Sequence, residues 1–153
     1  MNSTAKLETV RGRLAAVWFG GSAIFFLLLV GQSLGGTFGE RLDKAWAWAI
    51  PNIAPTLSLM LSVFAAYALV PEAEVDKMIV RRNFYLIALW LSVFYLLNLI
   101  IVVIAAPFSV ASGGGAAQQP VDVMHTANFW LGPLQGLAAA ALAAVFFTKG
   151  DQR

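Results

Sequence analysis

Four long apolar runs separated by short polar segments dominate the chain. A helix that crosses a bilayer needs roughly 20 predominantly apolar residues. The pattern predicts spans at 14–34, 51–70, 83–106 and 126–148, joined by loops at 35–50, 71–82 and 107–125. Residues 1–13 carry Lys6, Arg11 and Arg13, as the start of a signal peptide would. The apolar run after them is long and has no small-residue cleavage site soon after it, so it reads as a retained helix.

The connecting segments add detail. Residues 35–50 hold Glu40, Arg41, Asp43 and Lys44, then Trp46 and Trp48. Charges followed by tryptophans suit the headgroup layer, and predict a short interfacial helix that ends before Pro51. Pro51 and Pro55 suit a helix start, where a missing N–H breaks no bond. Counted from Pro55 the second span is short, so residues 51–55 must complete the crossing or be covered by protein. In 71–82 the acids Glu72, Glu74 and Asp76 precede Lys77, Arg81 and Arg82, which predicts an aqueous extension of the third helix. Pro107 is expected to end that helix. The 107–125 loop contains SGGG and QQP and no Lys or Arg, a composition that favours mobility.

Lysine and arginine positions set the orientation. Eight of them (Lys6, Arg11, Arg13, Lys77, Arg81, Arg82, Lys149 and Arg153) fall on one side of the four predicted spans, and two (Arg41 and Lys44) on the other. Both termini are therefore expected in the cytoplasm. The short connections predict one all-α domain, an antiparallel up-down bundle of four transmembrane helices.

Composition sharpens the class. Of 153 residues, 59% are hydrophobic and 12% charged, against about a quarter charged in soluble domains. Most of the surface must therefore face lipid. There is no cysteine and one histidine. That excludes a thiolate nucleophile, a Cys-ligated metal and a bis-His haem within one chain. No Asp, Glu, Lys or Arg lies firmly inside a span, whereas proton pumps and ion-coupled transporters carry such groups. The arginine-rich helices of four-span thiol-acting transferases, the cysteines of quinone-linked disulfide enzymes and the membrane glutamate of small multidrug exporters are all missing.

The most legible motif lies in the last span. Gly132, Gly136, Ala140 and Ala144 recur every fourth residue and so form one bare stripe along a helix. Such a stripe lets another helix approach closely, either within the bundle or as a seam between subunits. Uncharged polar residues mark the other spans: Ser58 and Ser62 in the second, Ser92, Tyr95 and Asn98 in the third, with Gln135 beside the stripe. They read either as interhelical hydrogen bonds or as the lining of a path. Asn98 and Gln135 are the deepest strong polar groups, expected to bond to each other or to their own copies. Lys77, Arg81 and Arg82 read as contacts for a cytoplasmic protein or for anionic headgroups. His125 and Asp122 are close enough in sequence to form a pair, without a second histidine or an acid cluster to make a centre.

The expectation is a non-enzymatic, self-associating multi-pass protein of a cell membrane, with a bacterial inner membrane as the setting. Its action would be to form a pore or perturb the membrane as an effector triggered by a cytoplasmic partner. The alternatives are an anchor or accessory subunit of a larger complex and, more remotely, a lipid-binding protein or membrane enzyme using His125 and Asp122. Expected partners are lipid, further copies of the chain and a cytoplasmic protein, not nucleic acid. No cofactor, metal or catalytic residue is expected.

Overall fold

The computed structural model describes residues 4–67, 79–111 and 119–147. Four long helices account for nearly all of them: α1 (Leu7–Leu34), α2 (Leu42–Tyr67), α3 (Arg82–Ala111) and α4 (Pro120–Phe147). All four are long and apolar enough to cross a membrane. In such sequences the helix satisfies every backbone polar group within one segment, which hydrocarbon demands.

The helix ends follow from local chemistry. At the end of α1, Thr37 N–H donates to Gln32 C=O at 3.1 Å and Gly36 N–H to Ser33 C=O at 3.2 Å. This is the paired bonding of a Schellman cap, and the residue it needs in the left-handed region is Gly36, at φ 72°. A 3-10 turn (Gly39–Arg41) then leads into α2. At the start of α4, Pro120 occupies the first helical position. The Asp122 carboxylate accepts the Gln119 N–H at 3.0 Å, which is half of a capping box.

The most extensive helix seam joins α3 and α4, followed by α1 with α3 and α2 with α4; α1 and α2 touch lightly. Contacts advance together along α1 and α3, from Trp18 on Tyr95 to Gln32 on Val103. They also advance together along α2 and α4, from Trp48 on Asn128 to Phe64 on Phe146. At the α1–α2 seam Phe25 and Phe26 meet Trp48 and Trp46. Large rings fill the middle: Trp18, Phe25, Trp48, Tyr95 and Phe146 are all fully buried. Gly21 lies so close to Leu96 that an added Cβ would come within 2.8 Å of its Cδ1.

Four sequence expectations need correction. The 35–50 segment is not a loop with a separate helix; α2 begins at Leu42 and continues through Pro51 and Pro55. Pro107 does not end the third helix, which runs on to Ala111. The fourth helix starts at Pro120, so His125 stands on a helix and not in a loop. Finally, residues 79–81 form strand β2 (Ile79–Arg81), paired antiparallel with β1 (Thr4–Lys6), and are not an extension of the third helix. The β-branched pair Ile79 and Val80 favours that choice once a partner strand is present. The rest of the 71–82 segment, the ends of the second and fourth predicted spans and the SGGG stretch lie outside the described residues.

Candidate functional site

Proline inside a helix leaves the carbonyl four residues earlier without a donor. In α2, Pro51 frees Ala47 C=O and Pro55 frees Pro51 C=O. The Gln135 side-chain amide of α4 donates to Pro51 C=O at 3.0 Å, and lies 3.4 Å from Asn52 C=O. In α3 the affected group is Val103 C=O, opposite Pro107. The Gln32 amide of α1 donates to that carbonyl at 2.8 Å. Two prolines in two helices are thus answered in the same way, by a glutamine from a neighbouring helix. This accounts for the continuity of α2 past Pro55 and of α3 past Pro107 in an apolar setting, where freed backbone groups must be satisfied again.

A buried polar network surrounds the first of these latches. Tyr95 Oη donates to Asn52 C=O at 2.7 Å and lies 3.3 Å from Asn52 Oδ1. Asn52 Nδ2 donates back to Trp48 C=O at 2.7 Å. Trp48 Nε1 donates to Asn128 Oδ1 at 2.9 Å. The chain of bonds ties α2, α3 and α4 together near one level of the bundle.

Beside the network, α2 and α4 part to leave a groove of about 370 Å³. Pro55, Thr56 and Leu59 form one wall, and Gly132, Gln135, Gly136, Ala139 and Leu142 the other. Two members of the small-residue stripe, Gly132 and Gly136, belong to its lip. Gly132, Gly136, Ala140 and Ala144 are all exposed, while Leu131, Ala138, Leu142 and Val145 face the core. A Cβ built at Gly132 or Gly136 meets nothing within 4 Å. At these two glycines, then, no atom of the other three helices stands within 4 Å of where a side chain would begin.

The other candidate residues do not converge. Asn98 and Gln135 do not bond to each other: Asn98 donates to Phe94 C=O of its own helix at 2.8 Å. Ser92 is fully buried and donates to Ala88 C=O, and Ser62 is exposed and donates to Ser58 C=O. Ser58 is exposed as well. Serines that return their hydroxyl to the preceding turn need no partner helix. The set accordingly faces partly inward and partly outward, and traces no common path. Arg82 is exposed at the start of α3, Arg81 belongs to β2, and Lys77 lies outside the described residues.

Asp122 pairs with Arg41 at 2.9 Å instead of with His125, which is exposed. Both partners of this ion pair are well exposed, at 38% and 44%. Arg41→Ala is therefore expected to cost less than about 1 kcal/mol. Asp122→Ala also removes the capping bond and is expected to cost more; thermal unfolding of both variants in one detergent checks the order.

Sequence reasoning missed Arg11, Gln32, Asn52 and Thr56. Arg11 is 4% exposed and donates to Phe146 C=O at 2.6 Å, so it caps the last turn of α4. Gln32 and Gln135 had a readable signal: each is a glutamine in an apolar run of a chain that also has prolines within its runs. No protein-family model matches the chain, no curated protein matches its sequence, and no solved structure matches its fold.

Proposed function

We propose that the chain is a non-enzymatic, multi-pass membrane protein that associates with itself along the outward face of α4. The observation that carries this reading is the bare lip at Gly132 and Gly136, exposed and with open space where a Cβ would stand. Lipid supplies no hydrophobic drive for helix association, so close backbone approach at small residues is the main source of attraction between helices. A face of this kind suits another helix better than it suits acyl chains.

The proposed topology is an up-down bundle with both termini in the cytoplasm of a bacterial inner-membrane protein. The basic-residue asymmetry supports it, as does the ribbon joining residues 4–6 to 79–81 at the starts of α1 and α3. The Arg41–Asp122 pair joins the starts of α2 and α4. In its fuller form the reading is an effector that opens a pore or perturbs the bilayer when a cytoplasmic partner triggers it. With aromatic rings filling the single bundle, any conduit would run between copies.

Gly136→Leu is expected to abolish association and leave thermal unfolding of the single chain nearly unchanged, because nothing occupies the space the side chain enters. Mass determination in native-lipid nanodiscs reads the first effect, and circular dichroism the second. A wild-type particle that is monomeric at every lipid ratio would sink the proposal. Dye release from liposomes tests the pore separately.

A further inference from the structure

We infer that the α2–α4 groove is completed by a second copy of the chain across a two-fold axis near Gly136, with Thr56 and Gln135 exchanging hydrogen bonds between copies. The inference rests on the self-association proposed above and names its surface and its geometry.

The first ground is an imbalance of polar groups in an apolar groove. The Gln135 side-chain N–H groups are directed at the Pro51 and Asn52 carbonyls. Its Oε1 atom receives no hydrogen bond among the described residues. Thr56, on the opposite wall, is only 4% exposed, and its hydroxyl makes no hydrogen bond among the described residues. One wall thus carries an acceptor without a donor, and the other a donor without an acceptor. Unpaired polar groups are costly in hydrocarbon.

The second ground is what could cover them. An acyl chain brings neither donor nor acceptor and leaves both groups unpaired. A second copy brings both. In a two-fold contact each residue meets the other's counterpart, so the hydroxyl of one Thr56 faces the Gln135 carbonyl of the other chain, and the reverse. Gly132 and Gly136 leave the open space that such an approach needs. An isologous contact of this kind closes on itself as a dimer.

The test uses the absence of cysteine in the chain. Gly136→Cys and, separately, Ala140→Cys are introduced into the full-length protein in native-lipid nanodiscs and crosslinked with a short bismaleimide. The expected result is a dimer joined through the same position in both chains. Thr56→Val is expected to raise the dimer dissociation constant about tenfold, since it removes two interhelical bonds per dimer, and Thr56→Ser to restore it. Oligomers that crosslink only between unlike positions overturn the two-fold seam and leave self-association standing. A homotypic crosslink with unchanged affinity in Thr56→Val overturns the hydrogen-bond exchange. Monomers throughout, including monomers that retain a lipid in the groove, overturn this inference together with the reading beneath it.

Discussion

Gln135→Leu is expected to destabilise the protein by about 1–2 kcal/mol, and to cost almost nothing once Pro55 has been replaced by alanine. In the native chain Pro55 has no N–H to give, and Pro51 C=O takes its bond from Gln135 at 3.0 Å. Leucine leaves that carbonyl facing an apolar groove without a donor. In the Pro55→Ala background the new N–H of residue 55 can close the ordinary helical bond to Pro51 C=O, so the glutamine becomes redundant. The four variants form a double-mutant cycle, and the coupling between positions 55 and 135 is the quantity of interest. Steric-trap or detergent-titration unfolding measures it. Additive costs would show that Gln135 contributes only packing. Gln32 and Pro107 form an independent cycle with the same expected sign, because Gln32 donates to Val103 C=O at 2.8 Å.

These latches also explain which parts of the fold could be read in advance. Four apolar runs are legible because a bilayer demands length and apolarity, both of which are written along the chain. The continuation of the helices past Pro55 and Pro107 was not legible, because proline ends a helix unless something else satisfies the freed carbonyl. That something is Gln135 or Gln32, more than seventy residues away in each case. Local propensity carries no information about such a partner. The connection would have required reading a glutamine in one span and a proline in another as halves of one feature.

The candidate site divides along the same line. Periodicity placed Gly132, Gly136, Ala140 and Ala144 on one stripe, and the structure keeps them together on the exposed face. Periodicity could not say which way the stripe turns, since a bare face serves equally well inside a bundle or outside it. Ser92 and Tyr95 likewise share a face, but the core absorbs both: one returns its hydroxyl to Ala88 and the other bonds Asn52 of α2. The Asn98–Gln135 pairing failed because each amide has a nearer backbone carbonyl to meet. The pairing of Asp122 with Arg41 instead of His125 follows from tertiary proximity of the starts of α2 and α4, which sequence separation conceals.

Arg11 was legible only as one of several positive charges that orient the chain, yet its replacement is expected to be among the most damaging in the protein. Arg11→Leu should destabilise the fold by about 2–3 kcal/mol. Its Nη2 donates to Phe146 C=O at 2.6 Å, and its guanidinium carbon lies 5.8 Å from the centre of the Phe146 ring. The last carbonyls of a helix have no donor within the helix, and its C-terminal end carries partial negative charge. A buried guanidinium at this place therefore satisfies an orphan acceptor, opposes the dipole and covers an aromatic face at once. Leucine keeps an apolar stem at the site and loses all three. Lysine keeps the charge, but its single ammonium cannot reproduce the planar fork, so Arg11→Lys should fall between wild type and Arg11→Leu. The effect should also appear locally, as faster hydrogen exchange in the last turn of α4, because Phe146 is held from outside its own helix. Equal stability of Arg11→Leu and wild type would reduce Arg11 to a topology signal and remove the link between the start of α1 and the end of α4.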